Sequence, residues 1–105
     1  MEEDRLQRAR DAIREADREM ARCFERRMAA VRDIAACKRE RGLPILDPAQ
    51  ERAVIERGRA WIESEELRGY YEAFIREVMA LSRQYQSRLM DGSDPPHRSL
   101  GEEKA

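Results

Sequence analysis

From about Asp4 to Arg41 the chain contains no glycine and no proline, and apolar residues recur at three- and four-residue steps throughout. This pattern predicts one helix of about 38 residues, a rod of about 57 Å. A compact globule of 105 residues is only about 35 Å across. The rod therefore outgrows any domain that its own chain can build. Its apolar stripe needs cover that two shorter helices cannot supply. The simplest solution is an obligate dimer with paired long helices.

The rest of the chain is punctuated clearly. Gly42 is a natural helix stop and Pro44 blocks continuation. Asp47-Pro48 is an N-cap acid followed by proline at N1, and it opens a second helix whose stripe includes Val54, Ile55, Trp61 and Ile62. Gly58 inside that helix costs about 1 kcal/mol against alanine, which points to close packing. A third helix is expected from Ser64, an N-cap residue followed by Glu65 and Glu66, and it carries Leu67, Tyr71, Phe74, Ile75, Val78, Tyr85 and Leu89. After Met90 the chain reads DGSDPPHRSLGEEKA, a polar, turn-rich segment expected to be disordered. The expected architecture is all-α: a three-helix domain over residues 1–90 and a tail over 91–105.

Composition narrows the function classes. Lysine and arginine number 21 against 22 acidic residues, for a net charge of −1, and the signs are interleaved as on a solvated helix surface. Nucleic acid is not an expected partner. No apolar run approaches the roughly 20 residues that cross a bilayer, and residues 1–10 lack the apolar core of a signal peptide. A cytoplasmic location is the expectation. Cys23 and Cys37 would lie about 21 Å apart along one helix, beyond disulfide reach, and are expected as small, reduced packing residues.

Charges interrupt the apolar stripe of the long helix. One seven-residue series runs Leu6, Ile13, Met20, Arg27, Ile34, and its neighbour runs Arg10, Asp17, Phe24, Val31, Lys38. Cations there are seldom fully buried without a partner, so Arg27 and Lys38 call for an anion inside a helical bundle. Ser82 and Gln86 continue or border the stripe of the third helix. Asp47 and Glu51 share a face of the second, with Gln50 beside them. Two cations, hydrogen-bond donors and two acceptors suit a small dianion that also carries a hydroxyl. No nucleophile–base pair appears, since the single histidine is His97 in the tail, and there is no Cys/His metal spacing and no glycine-rich phosphate loop. Neither a metal nor a cofactor is expected, and catalysis would work by positioning and electrostatics. Arg10 lies about 25 Å from Arg27 along the rod, so it would reach such a site only from an antiparallel partner.

These residues carry a family pattern. The segments RDAIREAD (10–17), ERRMAAVRDIAACK (25–38), LPILDPAQE (43–51) and IREVMALSRQYQ (75–86) resemble the all-helical, AroQ-class chorismate mutases, in that family's order and across nearly all of residues 5–90. The resemblance implies an intertwined helical homodimer with two active sites. It implies the Claisen rearrangement of chorismate to prephenate in aromatic amino-acid biosynthesis, with no cofactor. It further implies that Arg27 and the partner's Arg10 bind the substrate carboxylates, with help from Ser82. Lys38 and Gln86 would donate to the ether oxygen, and Asp47 and Glu51 would contact the ring-hydroxyl side. Many members carry an arginine where this chain has Gln50. The residues identify no partner enzyme of the same pathway.

Plainer readings stand beside this one. Asp47 caps a helix in any case, and Ser82 or Gln86 alone would be a bystander. The remaining charges read as solvated surface, and Trp61, Tyr70, Tyr71 and Tyr85 as packing residues. The same scaffold would also suit an isochorismate pyruvate lyase, or a non-catalytic dimerisation module whose buried polar groups set register.

Overall fold

The computed structural model describes residues 2–92, and all of its regular structure is helical. Helix α1 spans Glu2–Arg41, α2 spans Pro48–Trp61, a single 3-10 turn occupies Glu65–Leu67, and α3 spans Arg68–Asp91. The expected tail lies, apart from Asp91 and Gly92, outside the described residues. The chain divides into two units, Met1–Ala30 and Val31–Ala105.

The first unit is one stretch of α1. Its side chains from Asp4 onward are exposed, except that Arg27 and Met28 are half-buried. Leu6, Ile13, Met20 and Phe24 are among the exposed large hydrophobics. Asp11 accepts hydrogen bonds from Gln7 Nε2 at 3.0 Å and Arg14 Nη1 at 3.2 Å, the short-range pairs that support a solvated helix face. Cys23 is exposed here, as is Cys37 in the second unit, so neither thiol packs in the single chain.

The second unit holds the core. At the end of α1, Leu43 N donates to Lys38 O at 2.8 Å and Gly42 N to Arg39 O at 3.4 Å. With Gly42 at φ 67°, this is the Schellman arrangement, and the left-handed residue is a glycine because a Cβ would be strained there. Asp47 then caps α2: its carboxylate accepts from Gln50 N at 3.2 Å, and Pro48 follows at the first helical position.

Ile55 of α2 packs with Ile75, Val78 and Met79 of α3, flanked by Val54 and Tyr71. Gly58 faces Tyr71 so closely that a Cβ would sit 2.6 Å from the ring carbon Cε2, which is the close packing that its place in a helix called for. Arg59 of α2 and Arg76 of α3 both hold the Glu72 carboxylate, at 2.9 and 2.7 Å. The Arg76 hydrogen bond is the main cause that lowers the Glu72 pKa; desolvation, the next largest cause, opposes it, and the charge of Arg76 and the hydrogen bond and charge of Arg59 carry the shift further down.

Two expectations are corrected. Ser64 makes no side-chain cap, and α3 begins only at Arg68, after the 3-10 turn. Arg68 Nε instead donates to Ile62 O at 2.8 Å, tying the start of α3 to the end of α2. Trp61 and Tyr70, expected as packing residues, are 73% and 76% exposed. Each lies beside this connection, where the stripe of one helix has ended and that of the next has not yet met it.

Candidate functional site

Most of the residues singled out in the sequence fall in the second unit. Lys38, half-buried, leaves α1 within the Schellman turn. Its ammonium donates to Ile45 O at 2.5 Å, so the α1–α2 connection is folded back onto it. An ammonium carries three donors, and this bond leaves two for a ligand.

Asp47 and Gln50 are exposed at the start of α2. The cap explains it: a carboxylate that accepts from Gln50 N must turn toward the open end of its helix. Glu51, one turn further, is half-buried. Arg83 Nη1 of α3 donates to its Oε2 at 2.5 Å, an ion pair that joins two helices.

Ser82 and Gln86 are the buried polar residues of the described chain, at 5% and 6% exposure. Both continue the α3 face that carries Ile75, Val78 and Met79, since 75, 78/79, 82 and 86 repeat the helical period. Ser82 Oγ donates to Val78 O at 2.8 Å, the usual bond of a serine to the carbonyl one turn back. Gln86 Oε1 is buried without a hydrogen-bond partner. A buried carbonyl oxygen left unsatisfied costs roughly 1–3 kcal/mol, and only a hydrogen-bond donor can satisfy it.

Arg10 and Arg27 belong to the first unit, exposed and half-buried respectively. The second unit thus unites Glu51 with α3 and places Ser82 and Gln86 on one buried face. It does not engage Lys38 with Asp47, Glu51 or Gln86 by hydrogen bonds.

The sequence reading missed Arg83 by assigning it to the solvated surface. A signal existed: it directly follows Ser82 and lies four residues after Met79, on the flank of the buried stripe. Tyr85, expected to pack, also has a polar role, accepting from Arg32 Nη1 at 2.9 Å.

The arrangement can bind anions and donate hydrogen bonds from a sheltered face. Among the described residues no group of three or more His, Cys, Asp or Glu is placed to hold a metal ion. Among the same residues no helix is long and apolar enough to cross a membrane. In comparisons with known proteins, the family model of chorismate mutase type II matches residues 9–87, about three quarters of the chain. No curated protein and no solved structure matches.

Proposed function

The chain belongs to the chorismate mutase type II family, an isomerase family, and from that premise we propose how its residues carry the rearrangement of chorismate to prephenate. The reaction is intramolecular. The C–O bond of the enolpyruvyl ether breaks as a C–C bond forms to the ring, and no proton, electron or group passes to the protein. The protein's task is to hold a compact, chair-like conformer and to stabilise negative charge that develops on the ether oxygen.

Gln86 and Lys38 are the donors to that oxygen. The observation that carries this reading is the burial of Gln86 one turn from buried Ser82, which holds an amide out of water where its Nε2 is the group that donates. A hydrocarbon core gains nothing from such a group, whereas a charge-stabilising site needs one that is desolvated and held in advance. Lys38 keeps two donors beyond its bond to Ile45 O. Arg27 and the partner's Arg10 bind the carboxylates, and Ser82 assists by turning its hydroxyl from Val78 O to a carboxylate oxygen; for both arginines the support is their place in the family motif. Asp47 and Glu51 take the ring-hydroxyl side, with the Gln50 amide beside them.

A homodimer is part of the same reading. Leu6, Ile13 and Met20 repeat every seven residues, all exposed, with Phe24 exposed beside that row. A paired helix from a second copy would bury this stripe, at about 1 kcal/mol for each half-exposed side chain covered. Two free thiols suit a reducing compartment, in keeping with a cytoplasmic protein.

Purified protein mixed with chorismate should form prephenate, and Arg27→Ala should abolish turnover. Undiminished turnover by that variant would remove the carboxylate clamp. Pyruvate released from isochorismate, with chorismate left intact, would favour a lyase. A stable monomer by light scattering at micromolar concentration would exclude any role for a second copy.

A further inference from the structure

We propose that Arg83 is a positioning residue that holds Glu51 for substrate and sets the site's affinity for a doubly negative guest. The inference rests on the reading that Glu51 faces the hydroxyl side of bound chorismate.

Glu51 is a carboxylate with only a quarter of its side chain exposed, and Arg83 is about one third exposed: 25% and 35%. The pair spans α2 and α3, 32 positions apart in sequence, so it is not one of the local pairs that decorate helix surfaces. Arg83 sits between the two buried polar residues of α3, directly after Ser82 and three before Gln86. It therefore shares a turn with groups that the proposed site uses. Helix α2 offers no cation of its own in its first turn: positions 48–51 are Pro, Ala, Gln and Glu. The charge that balances Glu51 comes across from α3.

A carboxylate beside a dianionic ligand opposes binding unless a cation offsets it. Arg83 supplies that offset and engages Oε2, which leaves Oε1 to accept from a hydroxyl. Its guanidinium retains further N–H donors and a fixed positive charge beside that pair. Arg83 thus serves where Gln50 carries no charge.

The test is steady-state kinetics on chorismate with the wild-type chain, Arg83→Gln, Arg83→Lys, Arg83→Gln with Gln50→Arg, and Arg83→Gln with Glu51→Gln. Thermal unfolding is followed for each variant. Arg83→Gln should raise KM about 10- to 100-fold and change kcat less than about threefold. Arg83→Lys should recover much of the loss. Gln50→Arg should recover part of it by supplying the cation from α2. The Arg83→Gln and Glu51→Gln effects should combine to less than their product, because each variant breaks the same pair.

A KM within about threefold of wild type in Arg83→Gln overturns the proposal. So does a loss that neither Arg83→Lys nor Gln50→Arg rescues, since lost packing alone behaves that way. If Arg83→Gln does not fold, Arg83→Met, which keeps the apolar stem and removes the charge, takes its place under the same KM criterion. Absence of any turnover by the wild-type chain would instead overturn the reading of the site itself.

Discussion

Replacing Gln86 by methionine should make the protein more stable and the enzyme far slower. The side chain is 94% buried by its 6% residual exposure, and its Oε1 has no hydrogen-bond partner. An unsatisfied buried polar group costs roughly 1–3 kcal/mol. Methionine has a similar length, no branch and no polar end, so it fills the same space without overpacking. Relief of the penalty gives a net gain of about 1–2 kcal/mol. In a chain of this size each kcal/mol moves Tm by about 4–8 °C, so a rise of about 4–16 °C is expected. The catalytic effect has the opposite sign. Loss of one donor to the ether oxygen removes about 3 kcal/mol of transition-state stabilisation, or two to three decades in kcat. The assay pairs thermal melts at one fixed protein concentration, because a dimer's Tm depends on it, with initial rates of chorismate consumption. Opposed changes are the signature of a residue kept for chemistry. A fall in both would make Gln86 a structural residue, and an unchanged rate would remove it from the site.

Two further perturbations test the scaffold. Gly58→Ala would press a Cβ to 2.6 Å from Tyr71 Cε2, and the strain of about 1–3 kcal/mol should exceed the roughly 1 kcal/mol gained in helix propensity. Tm should fall, and the same change in a Tyr71→Ala background should become neutral or stabilising; a rise in the wild-type background would refute the close-packing argument. Glu72 has its folded pKa lowered, first by the hydrogen bond from Arg76 and further by Arg59. The stability it contributes is therefore complete above the unfolded value of about 4.3 and is lost as pH falls through the folded value. The gap in stability between wild type and Glu72→Gln should be constant near neutrality and close on acidification below about pH 4; a gap that persists there would refute the ion-pair account.

Helix placement was legible before any coordinates because the signals are local. Gly42 closes α1 since only its φ of 67° completes the turn at low strain, and Asp47-Pro48 opens α2 by capping its own first turn. Each device acts within about four residues, so the linear order contains all the information needed. Ser64 is the instructive exception. It had the right chemistry for a cap, but Arg68 bonds Ile62 O and the backbone tightens into a 3-10 turn between them. A contact across the α2–α3 corner outweighed a local preference worth about 1 kcal/mol.

For the site, periodicity alone identified Ser82 and Gln86 as interior, because they fall on the apolar stripe that recurs every three to four residues through Ile75, Val78 and Met79. It also located Lys38 at the inner end of α1. It was silent about partners. That the Lys38 ammonium rests on Ile45 O follows from the path of the α1–α2 connection. That Arg83 reaches Glu51 follows from how α2 and α3 are packed. A flank position of a helix looks the same in sequence whether it meets water or another helix. The residues alone determined three helices, their limits except the start of α3, and a polar seam within an apolar face. Tertiary packing decided which charges on the edge of that seam are paired, because pairing is a property of two faces and a sequence period describes only one.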